Sequence, residues 1–186
     1  MNNIEKVVEE IFGLYKQHGS ENYIGENISQ IEHMCQSAQL AETGGFDDEV
    51  IMAAFFHDIG HLVEPMVEGK NMGGYGVKDH EKIGADYLRQ KGFSEKVACL
   101  VESHVQAKRY LTFKDADYYN ALSDASKKTL EYQGGKMSEQ EAIAFEADPL
   151  HPLIIQMRRW DEQAKLENIP LPNLTKYKKL ATQLLQ

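Results

Sequence analysis

Apolar residues recur at intervals of three and four along most of this chain. Ile4, Val7, Val8, Ile11, Phe12 and Tyr15 form one stripe of an amphipathic helix, which Gly19 and Ser20 punctuate. A second helical pattern runs from about Ile28 to Glu42 and stops at Thr43-Gly44-Gly45. The third, Glu49 to Gly60, contains Val50-Ile51-Met52-Ala53-Ala54-Phe55-Phe56 with few polar positions, and predicts a central helix covered nearly all round. Val67 to Val77 carries four glycines and reads as a loop, after which Asp79 can cap a helix through Lys91 that Gly92 ends. Ser94 can cap a helix reaching Lys108, and Asp115 to Leu130 continues the pattern with a break near Ser123. Ser138 and Glu141 have capping-box spacing, and Pro149 and Pro152 fit the start of a helix carrying Arg158 and Asp161. Pro170 and Pro172 close that helix, and a short one covers the C-terminus. With no internal repeat and no strand-like alternation, the pattern predicts an all-α helical bundle, one domain over residues 1–186.

Composition narrows the class. Hydrophobic residues make up 42% and charged residues 26%, the balance of a globular protein rather than a disordered one. The net charge of −9 offers no basic footprint for nucleic acid or an anionic membrane, so any anionic ligand must be held by a few local cations. Cys35 and Cys99 are too few for a disulfide framework and sit in helical apolar patterns, as buried free thiols would. Without a leader-like start or a bilayer-length apolar run, the expectation is a cytoplasmic protein, monomeric, with neither nucleic-acid nor membrane partners.

The candidate chemistry lies in the histidines. His33, His57, His80 and His104 are spaced at about two dozen residues, each on a separate predicted helix. A bundle can aim one side chain from each of several helices at a common interior point, and imidazoles with carboxylates suit iron, manganese or zinc. His57 and Asp58 are adjacent, and at a helix end both can reach one ion, while a carboxylate with two oxygens can bridge two. His61, four residues after His57 on the same helical face, could support the ligands or touch a substrate. Lys108 lies four residues after His104, and Arg158 three before Asp161. Surface solvation is the usual fate of such cations, but two helices each pairing a ligand with a cation suggest a dianion beside the metal.

The order His33, His57-Asp58, His80, His104, Asp161 resembles the HD-domain mixed-valent di-iron oxygenases. Asn22-Tyr23-Ile24-Gly25-Glu26, Met72-Gly73-Gly74-Tyr75-Gly76-Val77, Gly84-Ala85-Asp86-Tyr87-Leu88 and His104-Val105-Gln106-Ala107-Lys108 resemble, more narrowly, the PhnZ-type phosphonate-cleaving oxygenases. The resemblance implies an HD-domain bundle with two iron ions, Fe(II)/Fe(III), and dioxygen as co-substrate. It further implies cleavage of the carbon-phosphorus bond of the organophosphonate (R)-2-amino-1-hydroxyethylphosphonate to glycine and phosphate. By motif, His33, His57, Asp58 and Asp161 would hold one iron and Asp58, His80 and His104 the other, with Asp58 as bridge. Lys108, Ser126, Thr129 and Arg158 would surround the phosphonate, with His61 close by. Tyr23 and Glu26 would lie on a gating lid, the Tyr on an iron before substrate arrives and the Glu at the substrate amine. Residues 137–156 and the C-terminal tail match least.

Three alternatives stay open at this point. They are an oxygenase for the N-trimethylated analogue giving glycine betaine, an HD-type metal-dependent phosphohydrolase, and a non-enzymatic HD-like sensor or docking domain.

Overall fold

The computed structural model describes residues 3–23, 25–63 and 72–186. Among them the regular elements are helices: α1 (Asn3–His18), α2 (Gln30–Thr43), α3 (Asp48–Phe56), α4 (Gly60–Val63), α5 (His80–Lys91), α6 (Glu95–Lys114), α7 (Ala116–Ala121), α8 (Asp124–Tyr132), α9 (Glu139–Glu146), α10 (His151–Gln163) and α11 (Thr175–Leu184). An isolated antiparallel bridge joins Asn22 to Ser29. No helix among the described residues is long and apolar enough to cross a membrane.

The core forms around α3, whose Val50 to Phe56 are all buried. It packs against α2, α6, α10 and α11. Phe55 stacks with Phe12 of α1 and Tyr177 of α11 at ring separations of 5.6 and 4.6 Å, and the Tyr15 hydroxyl donates to the Phe55 carbonyl at 3.2 Å. Burying each such large apolar side chain contributes about 1.5–3 kcal/mol, so both chain ends are fastened to the central helix.

Several boundaries differ from the sequence expectation. α2 starts at Gln30 rather than Ile28 because Ser29 and Glu32 form a capping box. α3 ends at Phe56 instead of Gly60: the amides of Ile59 and His61 bond the carbonyls three residues back, and the chain turns before α4. His61 therefore does not share a continuous helical face with His57. Asp79 stands at the start of α5 in a left-handed conformation (φ 59°) and its side chain makes no cap bond. α6 continues past Lys108 to Lys114, and Asp115 then caps α7. α10 ends at Gln163, ahead of Pro170 and Pro172. Of the glycine-rich loop, residues 67–71 lie outside the described residues, as does Ile24 of the Tyr23 motif; Gly73, Gly74 and Gly76 take positive φ. Cys35 is buried, but Cys99 is only partly so, since it faces Glu95 at the edge of α6.

Candidate metal centre

The turn after α3 presents His57 and Asp58 side by side at the middle of the bundle, 1% and 3% exposed. Around them converge His33 from α2, His80 from the first turn of α5, His104 from α6 and Asp161 from α10, all buried. Such a concentration of polar groups in a core is costly unless they are mutually satisfied or hold metal ions.

The ligand atoms divide into two groups that share Asp58. On one side, His33 Nε2 lies 3.0 Å from His57 Nε2, 3.6 Å from Asp58 Oδ2 and 3.4 Å from Asp161 Oδ1. His57 Nε2 lies 3.4 Å from the same Asp58 oxygen. On the other side, Asp58 Oδ1 lies 3.2 Å from His80 Nε2 and 3.4 Å from His104 Nε2, and those two nitrogens are 3.1 Å apart. Burial alone would push the Asp58 carboxyl up, but His57, His104 and His80 hold it well below the usual range. Its two oxygens thus face two different sets of imidazoles.

The imidazoles are oriented from behind. The Nδ1–H groups of His33, His57, His80 and His104 donate to the carbonyls of Ala164, Ala54, Val77 and Val101 at 2.8, 2.8, 3.2 and 2.7 Å. Each bond fixes the tautomer that leaves Nε2 with a lone pair aimed at the centre, which is how metal-binding histidines are commonly held. The donor set of neutral imidazoles and carboxylates fits first-row divalent and trivalent ions, and two groups that share Asp58, one with His33 and His57 and one with His61 and His80, bring ligand atoms within 4.8 Å of one another.

His61 is placed differently. Its ring stacks on His80 at 4.0 Å, close enough to Asp58 and His80 to count among possible ligands. However, the Val77 amide donates to its Nδ1 at 3.1 Å, so the ring proton sits on Nε2, and a protonated nitrogen donates rather than ligates.

A pocket opens from Asp58, His80 and His104 toward Lys108, Ser126, Thr129 and Arg158, with Tyr23, Glu26 and His61 also on its wall. Every substrate-contact residue expected from the sequence is therefore at this pocket. Lys108 is 3% exposed and donates to the Thr129 hydroxyl at 2.8 Å, which in turn donates to the Ser126 carbonyl at 3.1 Å. Burial, aided by Arg158, pushes the Lys108 amine down to about 7. Among the described residues Lys108 has no ion-pair partner, whereas Arg158 is bound by Asp161, Glu162 and the Tyr118 hydroxyl. Asp161 thus turns one oxygen to the imidazoles and the other to Arg158. Tyr23 lies flat against His33 at 3.9 Å, its hydroxyl 3.5 Å from Asp161 Oδ1.

Sequence reading missed Lys165 and Gln133 as pocket residues, and Tyr118 and Glu162 as anchors of Arg158. The series Arg158, Asp161, Glu162, Lys165 at helical spacing was the available signal for two of them.

Comparison with known proteins gives a consistent set of relatives. Residues 31–153 match the family described as HD domain. A protein of Acanthamoeba polyphaga mimivirus, itself uncharacterised, is 42% identical over 187 residues, 99% of this chain and 85% of the relative. The hydroxymethylphosphonate dioxygenase of Gimesia maris is 39% identical over 172 residues, 91% of this chain and 84% of its own. The [1-hydroxy-2-(trimethylamino)ethyl]phosphonate dioxygenase (glycine-betaine-forming) of Leisingera caerulea is 37% identical over 176 residues, 92% of this chain and 86% of its own.

Proposed function

The chain belongs to the HD-domain family of phosphonate dioxygenases, and from that premise we propose that it is a PhnZ-type enzyme acting on (R)-2-amino-1-hydroxyethylphosphonate. The products are glycine and phosphate, which together contain the atoms of the substrate plus one dioxygen. His33, His57, Asp58 and Asp161 would hold one iron, and Asp58, His80 and His104 would hold the other. When bound, this Fe(II)/Fe(III) pair supplies the oxidising chemistry with dioxygen that a carbon-phosphorus bond requires, since that bond has no ready hydrolytic exit.

The chain's own side chains bind and orient the substrate. The single observation that carries the reading is Lys108: a buried amine with no carboxylate partner among the described residues, lining the same pocket as Arg158, His80 and His104. Burial beside Arg158 suppresses the charge on the Lys108 amine, and a bound phosphonate dianion would restore it. Thr129, Ser126 and the Nε2–H of His61 add hydrogen bonds around it. Arg158 is held in place from behind by Tyr118 and Glu162, so its fork is set before substrate arrives. Tyr23 covers the His33 side of the centre, and Glu26 meets the ammonium at the far end of the substrate.

A second reading, the N-trimethylated analogue giving glycine betaine, is favoured by Tyr75. Its ring joins Tyr23 and Glu26 on the pocket wall, the kind of aromatic surface that holds quaternary ammonium.

The experiment is anaerobic loading with iron, then addition of dioxygen with each of the two phosphonates in turn, measuring phosphate together with glycine or glycine betaine. Glycine with phosphate supports the main reading. Turnover of the trimethylated compound alone favours the second, and phosphate release without oxygen overturns both in favour of a phosphohydrolase.

A further inference from the structure

Lys165 lies just past the end of α10, on a strap pinned to α2 on both sides. The carbonyl of Ala164 accepts the His33 Nδ1–H at 2.8 Å. Gln36 Nε2 donates to the Leu166 carbonyl at 2.9 Å, and the Leu166 amide donates to Gln36 Oε1 at 3.0 Å. The backbone at Lys165 is thereby a fixed post. Facing it, Glu26 and Asn27 are joined to the strap by polar side chains: Lys165 Nζ donates to Glu26 Oε1 at 3.1 Å, and Asn27 Nδ2 to Glu167 Oε1 at 3.0 Å. Lys165 Nζ also stands 5.9 Å from the centre of the Tyr23 ring. Both Glu26 and Lys165 line the pocket, and their side chains are only 20% and 15% exposed.

We propose that Lys165 is a specificity-determining residue: it occupies the Glu26 carboxylate, so a substrate with a positive group distal to its phosphonate must displace it. A phosphonate with no such group leaves the pair intact. This inference rests on the reading of the pocket as a phosphonate site.

The charges support the exchange. Glu26 alone would be an uncompensated carboxylate beside Tyr23 and would attract any ammonium; paired with Lys165, that end of the pocket is close to neutral. A primary ammonium brings its own N–H donors to Glu26, so the carboxylate stays satisfied when Lys165 leaves. Glu162 offers the displaced Lys165 a second carboxylate, with Oε2 already 4.0 Å from Nζ. Removing the Lys165 charge should then relieve the competition for ammonium substrates alone.

The test is calorimetric titration of the iron-loaded protein without oxygen, using 2-amino-1-hydroxyethylphosphonate and hydroxymethylphosphonate as probes. In Lys165→Met the ratio of the two affinities should move toward the ammonium compound by about threefold or more, the scale of a partly buried ion pair. Glu26→Gln should move the ratio the other way, and adding Lys165→Met to it should produce no further shift. Iron content and the thermal midpoint establish that each variant is folded, with Lys165→Gln as replacement should the Met variant fail that check. A ratio unchanged within about twofold, or moved toward hydroxymethylphosphonate, overturns the role of Lys165 while leaving the phosphonate reading intact. If the wild-type chain binds neither probe, the phosphonate reading itself fails and this inference falls with it.

Discussion

Gly60 and His80 approach so closely that a Cβ placed on Gly60 would collide with the His80 carbonyl oxygen. Gly84, one turn further along α5, would bring its own Cβ within 3.1 Å of the Gly60 amide. The absence of side chains at these two positions lets α4 and α5 meet backbone to backbone, which sets His80 against Asp58.

Gly60→Ala should therefore push the start of α5 away and carry His80 Nε2 off its 3.2 Å approach to Asp58. Overpacking of this kind costs about 1–3 kcal/mol. Metal analysis of the folded variant should show loss of the ion proposed to sit at His80 and His104, with the ion proposed beside it retained. Full metal content would contradict the coupling.

Asp58→Asn should lose both ions. An amide keeps one acceptor oxygen and replaces the other with an N–H donor, so it cannot face two sets of imidazoles as the carboxylate does. His104→Ala, by comparison, should lose only one. Equal metal content in the two variants, read by elemental analysis, would refute the bridging position of Asp58.

Lys108 gives a pH prediction whose sign follows from its lowered pKa. With its amine at about 7 in the free pocket, Lys108 is largely neutral at pH 8, and a bound dianion raises that value by favouring the charged form. Binding should then take up protons above pH 7, and the protein's contribution to affinity should fall as pH rises through that value. Titrations at pH 8 in buffers of different ionisation heat measure the uptake. Lys108→Ala should abolish both the uptake and turnover while iron content stays near wild type; loss of iron with it would remove Lys108 from the phosphonate site.

Phe55→Ala should destabilise the fold by about 3–5 kcal/mol, because the ring is fully buried between α1 and α11. Chemical denaturation reads this directly. A loss below about 1 kcal/mol would mean that the terminal helices do not fasten to α3 as described.

The helices and the six central residues were legible for the same reason: period and type survive in one dimension. The apolar run Val50–Phe56 announces a central helix, and a histidine on each of several helices announces a shared interior point. What the pattern could not show was where α3 stops, because no glycine or proline marks the turn at His57 and Gly60 lies three residues beyond it. That turn also placed His61 by stacking on His80 rather than by helical spacing from His57. The Glu26–Lys165 pair spans 139 positions and depends on the strap after α10, which no local signal marks. Likewise, Tyr118 on α7 meets Arg158 on α10 across 40 positions, and no local signal joins them.

The most direct test of the account is the stoichiometry of oxygen to phosphate. Iron-loaded protein is mixed with 2-amino-1-hydroxyethylphosphonate in an oxygen-electrode cell, and phosphate and glycine are counted as oxygen falls. The account predicts one dioxygen consumed for each phosphate and each glycine formed, with none of either product before oxygen is admitted. Phosphate released in the absence of oxygen would contradict it.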